Sequence, residues 1–295
     1  MLGHKLCQLL PGLGHDVTGA VRGDTDALLA VAAPVYQDCS LRGGTDALDI
    51  ATLAQTFLDE RPEVVVNCIG VVKQREDASD RYLSVEINSA LPHRLARLCE
   101  TSGARLVHFS TDCVFDGSAG NYTEDAPSDA GDIYGKSKFL GETDQAEPAA
   151  ITLRTSMIGR ELRRPTHGLL EWILAQTGQT VRGFARAVFS GFSTNELARI
   201  VDLVMRRGGD LSGTVHVAAE PIDKFELLGL VREIYSLDVT VGRDVEFVCD
   251  RSLAMGRFVE TTGYTPPPWR EIIQGMYIDP TPYERIQGAQ ATESE

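Results

Sequence analysis

A tyrosine and a lysine stand four residues apart in Tyr134-Gly135-Lys136-Ser137-Lys138. On a helix that spacing puts both side chains on one face. Upstream, Ser110-Thr111-Asp112 closes the apolar run Arg105–Ser110, which reads as a strand. A strand end can carry its hydroxyl beside that helix face. Together the three groups make a proton-delivery site, with the Tyr134 hydroxyl as acid, Lys138 lowering its pKa and Thr111 holding the oxygen being protonated. Taken singly, each has a plainer reading. Tyr134 and Lys138 fit an ordinary amphipathic helix with a solvated lysine, and Thr111 fits a turn hydrogen bond. Asp112 either meets substrate or ties down its own loop. Their combination, in this order, points to chemistry.

Positioning such groups takes a sheet. Apolar β-branched runs alternate with helical patterns, which predicts an α/β fold with a parallel sheet and helices on both faces. The expected strands are Asp16–Val21, Val64–Cys68, Arg105–Ser110 and Ala150–Arg154. The expected helices are Leu2–Leu10, ended by Pro11-Gly12, then Ala51–Asp59, Ser84–Glu100 with Pro92 inside, and Asp132–Thr143. After Arg154 the alternation weakens, with a helix at Asn195–Arg207 and a strand at Thr214–Ala218. Residues 281–295 are polar and read as a loose tail.

The 295 residues carry 43% apolar side chains, enough for a sizeable core, and a formal charge of -14. That charge argues against a nucleic-acid or acidic-membrane surface, which would need a basic face. It leaves room for an anionic nucleotide, held locally by a few cations and a helix N-terminus. The six cysteines include no C-x-x-C pair, so they read as packed thiols of a reducing cytosol. The six histidines show no metal-ligand spacing, and no metal is expected. The apolar run Val64–Val72 is broken by Asn67 and too short to cross a bilayer.

The chain resembles the extended short-chain dehydrogenase/reductases, and among them the dTDP-4-dehydrorhamnose reductase group. The matching words are Val66-Asn67-Cys68-Ile69-Gly70, Glu86-Ile87-Asn88, Ser110-Thr111-Asp112-Cys113-Val114-Phe115-Asp116-Gly117, Tyr122-Thr123-Glu124-Asp125, the Tyr134–Lys138 segment with Gly141-Glu142, and Leu153-Arg154-Thr155-Ser156. They run in the family's order over residues 1–280. The resemblance implies a Rossmann-type doubly wound sheet with a smaller C-terminal substrate lobe. The dinucleotide-binding part would be residues 1–158, rejoined by 190–218, and the substrate lobe 159–189 and 219–280.

In relatives a strand and a G-x-x-G-x-x-G turn precede the first helix. Here Met1, Leu2 and Gly3 already stand in that turn, with Gly3 matching its last glycine. Two readings stay open: a start about ten residues upstream of Met1, or a protein that has given up nucleotide binding.

For the cofactor, Arg22 after the expected strand Asp16–Val21 suits the 2′-phosphate of NADP(H), where a carboxylate would suit NAD(H). NADP(H) is therefore expected, with NAD(H) as the alternative, and a solvated surface arginine is the plain reading of Arg22. Asp49-Ile50 matches the family's adenine-binding pair. Asn67, Cys68 and Gly70 end a strand where relatives pass ribose and phosphates, and Gly70 permits close backbone approach. Asn88, Ser110 and Thr155 complete the expected cofactor wall, and Lys138 would bond the nicotinamide ribose. A backbone-bonded helical residue is the plain reading of Asn88.

On the substrate side the resemblance places Thr111, Asp112, Cys113 and Tyr134. Cys113 replaces a common family tyrosine, and Met157 a common aromatic. Ser190-Gly191-Phe192-Ser193 and Asp250-Arg251-Ser252-Leu253 match segments near the substrate's nucleotide end, where Arg251 would meet a phosphate. The implied reaction is NADPH-dependent reduction of a nucleotide-linked 4-keto-6-deoxy sugar, in polysaccharide synthesis, by a cytoplasmic homodimer. Two rivals remain: an NAD-retaining epimerase or dehydratase, and a non-catalytic subunit like the regulatory subunit of methionine adenosyltransferase. Asp112-Cys113 lacks the acidic pair of dehydratases. The intact Thr111, Tyr134 and Lys138 oppose a retired site.

Overall fold

The computed structural model describes residues 1–72, 80–143, 149–207 and 211–292. Its centre is a parallel sheet in the order β3 (Val64–Asn67), β4 (Arg105–Ser110), β5 (Ala150–Arg154), β9 (Gly213–His216). Alternation along β4 sorts its side chains between two cores. Val107 and Phe109 join α1 (Leu2–Leu9) and α8 (Thr194–Arg207) on one face. Leu106 meets α3 (Ile50–Glu60) and α5 (Leu91–Ser102) on the other. All five residues of β5 are buried, as expected of a strand covered on both faces. In α1, Leu2, Leu6 and Leu10 recur every four residues and face the α8 side chains Leu197, Val201 and Val204. Each such buried leucine contributes about 1.5–3 kcal/mol.

The parallel layer comes in two pieces. β1 (Thr18–Ala20) and β2 (Ser40–Arg42) pair in parallel, bridged by α2 (Thr25–Tyr36), and no ladder joins β1 to β3 among the described residues. Beyond β5 lie a short parallel pair, β6 (Met157–Ile158) with β8 (Phe192–Ser193), and α7 (Leu169–Leu174). A second sheet has the order β10-β7-β11, with β7 (Thr180–Phe189) parallel to β11 (Thr240–Asp250) and antiparallel to β10 (Ile222–Asp223). α9 (Lys224–Ile234) packs on it, and α10 (Gly256–Thr262) and α11 (Trp269–Tyr277) follow.

Two expectations need correction. The single helix Ser84–Glu100 is three segments: α4 (Arg81–Ser84), a π-helical stretch Val85–Ala90, and α5. The break puts Pro92 in the first turn of α5, where its missing N–H is not needed. The tail is not loose either. α12 (Tyr283–Thr292) buries Tyr283 and Ile286 against Ala32, Val35, Tyr36 and Leu162. Tyr283 bonds His4 at 3.0 Å and lies under the Arg160 guanidinium, 4.7 Å from the ring centroid. Just before α12, Asp279 forms a buried ion pair with Lys5 of α1. Polar composition concealed an amphipathic helix that needs a partner far off in the chain. The last three positions of the expected tail, 293–295, lie outside the described residues.

Candidate active site

β4 delivers Thr111. The chain leaves the strand extended there, with φ -140° and ψ 152°, and turns into a short 3-10 helix, Asp112–Val114. Thr111 Oγ1 accepts from the Cys113 N–H at 3.1 Å and donates to Asp112 Oδ1 at 3.2 Å. Asp112 thus holds the hydroxyl beside it. Both residues are buried.

α6 (Ile133–Leu140) delivers Tyr134 and Lys138. Asp132 caps it by accepting from the Gly135 N–H at 2.8 Å. Two glycines then let it sit very close to its neighbours. A Cβ on Gly135 would overlap the Cys113 carbonyl, and one on Gly141 would overlap the Asn88 carbonyl. The helix is therefore clamped between the 3-10 turn and the π-helical stretch, which sets Tyr134 on the side of the turn that carries Thr111.

Electrostatics follow from burial. Desolvation pushes the Tyr134 hydroxyl above its ordinary value, reinforced by Cys113 and opposed by Thr111. At neutral pH the phenol keeps its proton. The Lys138 ammonium donates to the Phe109 carbonyl at 2.6 Å and is fully buried. Desolvation pulls it down to about 8, with Glu142 pulling the other way. It is mostly charged at neutral pH, one turn along α6 from Tyr134.

The remaining expected residues divide. Asn88 is buried, accepts from the Val71 N–H at 2.9 Å and donates to the Val71 carbonyl and Ser137 Oγ. It braces the loop after β3 against α6. Asn67 accepts from the Ile69 N–H at 3.0 Å and donates to His108 Nδ1 at 3.1 Å, shaping the same loop. Cys68 is exposed at the end of β3, and a Cβ on Gly3 would lie 3.5 Å from it, so the first turn of α1 sits against that strand end. Leu2 is buried in the core under that turn and Met1 is half-buried, its methyl close to Gly168. A Cβ on Gly70 would come within 3.5 Å of the Asn88 amide alone. Thr155 is buried and donates to the Ser156 carbonyl at 3.0 Å. Arg22 is exposed just past β1, while Asp24, the carboxylate beside it, caps α2 by accepting from the Asp26 N–H.

Two readings fail. The Asp49 carboxylate caps α3, accepting from the Ala51 N–H at 2.9 Å, and Ile50 is 52% exposed as the first residue of that helix. The pair marks a helix start. Ser110 also turns away, giving its hydroxyl to Glu142 at 2.6 Å.

That bond opens a buried network; Glu142 and Arg154 stand among the matching words, but no role was expected of them, and His216 was not singled out. Arg154 Nε and Nη2 donate to the two Glu142 oxygens at 2.9 and 2.5 Å, and Nη1 donates to His216 Nε2 at 2.8 Å. Because arginine only donates and a carbonyl only accepts, His216 carries its proton on Nδ1 and gives it to the Ala254 carbonyl at 3.1 Å. Burial and Arg154 hold His216 down at about 3. One signal was available: Glu142 lies four residues after Lys138, just past the end of α6.

On the substrate side, Arg251 donates to the Phe115 and Asp116 carbonyls at 2.7 and 3.3 Å, and its Nη1 lies 3.8 Å from Cys113 Sγ. Burial, helped by Asp112, pushes the Cys113 thiol up to about 12. Ser190 Oγ accepts from the Leu253 N–H, joining the two segments expected near the substrate's nucleotide end.

The family described as RmlD substrate binding domain matches residues 1–238. A dTDP-4-dehydrorhamnose reductase of Streptomyces griseus is 39% identical over 143 residues, 48% of this chain and 40% of that protein. The chain therefore spans well under two thirds of that relative's length. The spore coat polysaccharide biosynthesis protein SpsK of Bacillus subtilis is 28% identical over 290 residues, 92% of each chain. Among solved structures, a hypothetical dTDP-4-dehydrorhamnose reductase from Sulfolobus tokodaii superposes with a TM-score of 0.71 at 25% identity, covering 91% of this chain and 94% of that one. Among the described residues, no helix is long and apolar enough to cross a membrane.

Proposed function

We propose that this chain, which belongs to the RmlD substrate binding domain family, catalyses NADPH-dependent reduction of the 4-keto group of a nucleotide-linked 4-keto-6-deoxy sugar. The observation that carries the reading is the cluster at the exit of β4, where α6 sets half-buried Tyr134 against the turn that holds buried Thr111, and where buried Lys138 lies one turn along the same helix. Other residues fit a dinucleotide. Gly3 leaves room where α1 meets the end of β3, Gly70 presents open backbone nearby, and Arg22 offers an exposed cation for a 2′-phosphate while Asp24 is spent on a helix cap. NADH is the weaker alternative donor.

When bound, the nicotinamide supplies a hydride to the carbonyl carbon. Thr111 and Tyr134 hold the carbonyl oxygen, and Tyr134 gives it a proton. Lys138 stabilises the phenolate left behind, its own charge kept close by burial. The nucleotide-sugar substrate lies toward Arg251 and Cys113. A cytoplasmic homodimer is the setting this reading implies.

The test has two parts. Fluorescence titration should show saturable NADPH binding tighter than NADH. Tyr134→Phe should lower turnover on 4-keto sugar nucleotides by about a thousandfold and leave NADPH binding intact. Unchanged turnover in Tyr134→Phe would remove the tyrosine from the mechanism.

A further inference from the structure

The network behind the site ties the exit of α6 to Ser110, Arg154 and His216, which stand side by side in register on β4, β5 and β9. Glu142 stands just past the C-terminus of α6, one turn beyond Lys138. Ser110, at the end of β4, gives it a hydrogen bond, and the residue before Ser110 supplies the carbonyl that Lys138 holds. Arg154, on the neighbouring strand, clasps both Glu142 oxygens and reaches His216 on β9. The His216 ring in turn grips the Ala254 carbonyl, and the His216 backbone N–H donates to Glu124 at 3.0 Å. Glu142 and Arg154 are 6% and 3% exposed. A buried carboxylate in this position is costly, and an apolar pair of the same volume would serve stability at least as well. What an apolar pair could not supply is a fixed negative charge behind the lysine.

We propose that Glu142 is a positioning residue, anchored by Ser110 and Arg154 so that its charge holds the Lys138 ammonium on the Phe109 carbonyl, one turn along α6 from Tyr134. The inference rests on the reductase reading only for its effect on rate. The surroundings leave Glu142 as the group that acts. On β4, His108 is buried beside Lys138 and held well below its ordinary value, hence neutral, with Lys138 and His93 opposing its charge. Asp112 and Asp132 act on Tyr134. Glu86 on the π-helical stretch is paired with Arg94. Arg154 is taken up by Glu142 and His216.

The sign is fixed. Lys138 must be charged, so rate falls as pH rises through the lysine's value near 8. Glu142 raises that value, so its loss moves the alkaline limb to lower pH. In Glu142→Gln the limb should move down by about one pH unit. Turnover should then fall about fivefold at pH 8 and far less at pH 6, with KM for NADPH within about twofold. A profile of unchanged shape, whether full height or uniformly scaled down, overturns the proposal.

A second readout needs no turnover. The chain has five lysines, so ¹³Cε-lysine NMR resolves them individually, with Lys138 identified by Lys138→Met. Its titration midpoint should fall by about one unit in Glu142→Gln, and an unmoved midpoint overturns the proposal. If Glu142→Gln does not fold, the apolar pair Glu142→Leu/Arg154→Met replaces it, with the midpoint expected to move the same way and a fixed midpoint again decisive. Should wild type reduce no 4-keto sugar nucleotide, the functional reading fails, while the NMR midpoint still judges Glu142.

Discussion

The two ends of the sheet are built in opposite styles. At the Thr111–Tyr134 end, Thr111 and Lys138 are hydrogen-bonded within the protein, and two glycines bring backbones into contact. At the Arg22 end, the strands β1 and β2 stand as a separate pair, Arg22 is exposed, and the first turn of α1 offers backbone in place of side-chain caps. Chemistry that moves a proton needs its donor held within a fraction of an ångström, and rigid packing supplies that. Gripping a polyanion needs open backbone and an uncommitted cation, and tight packing would deny both.

The contrast can be broken most forcefully at Arg154. Arg154→Met leaves Glu142 buried and unpaired, and should cost about 3–5 kcal/mol of stability, read by denaturant unfolding. A loss below 1 kcal/mol would mean that water reaches the network and the packed end is looser than its geometry. Next comes Gly135→Ala. The added methyl meets the Cys113 carbonyl, so α6 must lift, costing about 1–3 kcal/mol and displacing Tyr134 enough to lower turnover sharply while NADPH still binds.

The open end should answer differently. Arg22→Ala should weaken NADPH binding by about tenfold, leave NADH binding unchanged and barely move the melting temperature. Equal losses for both dinucleotides would show that Arg22 does not read the 2′-phosphate. The smallest effect sharpens the corrected assignment. Asp49→Ala should cost about 1 kcal/mol of stability, as a lost N-cap does, with no change in NADPH affinity.

How far the sequence could be read follows the range of the forces involved. β4 and β5 were legible because a doubly covered strand must be apolar along its length. The face shared by Tyr134 and Lys138 was legible because a helix has a fixed period. Asp49 misled because an aspartate that caps a helix and one that meets a nucleotide look alike until the helix start is known. The π-helical stretch left no pattern of its own, since its extra residue is set by how closely Asn88 approaches α6. Glu142, Arg154 and His216 come from three elements, and only the folded sheet reveals that one carboxylate serves a hydroxyl, a guanidinium and, through space, an ammonium.

The ion pair between Lys5 and Asp279, and the bond from His4 to Tyr283, span 274 and 279 residues. During synthesis, at about 5–20 residues per second, α1 leaves the ribosome on the order of 10–60 s before its partners exist. For that interval a helix with a leucine stripe and a lysine meant for burial must wait half-dressed, a natural client for a chaperone. The site's first helix is thus among the last to be finished, and a substitution at Asp279 would show itself first as a lower yield of folded protein.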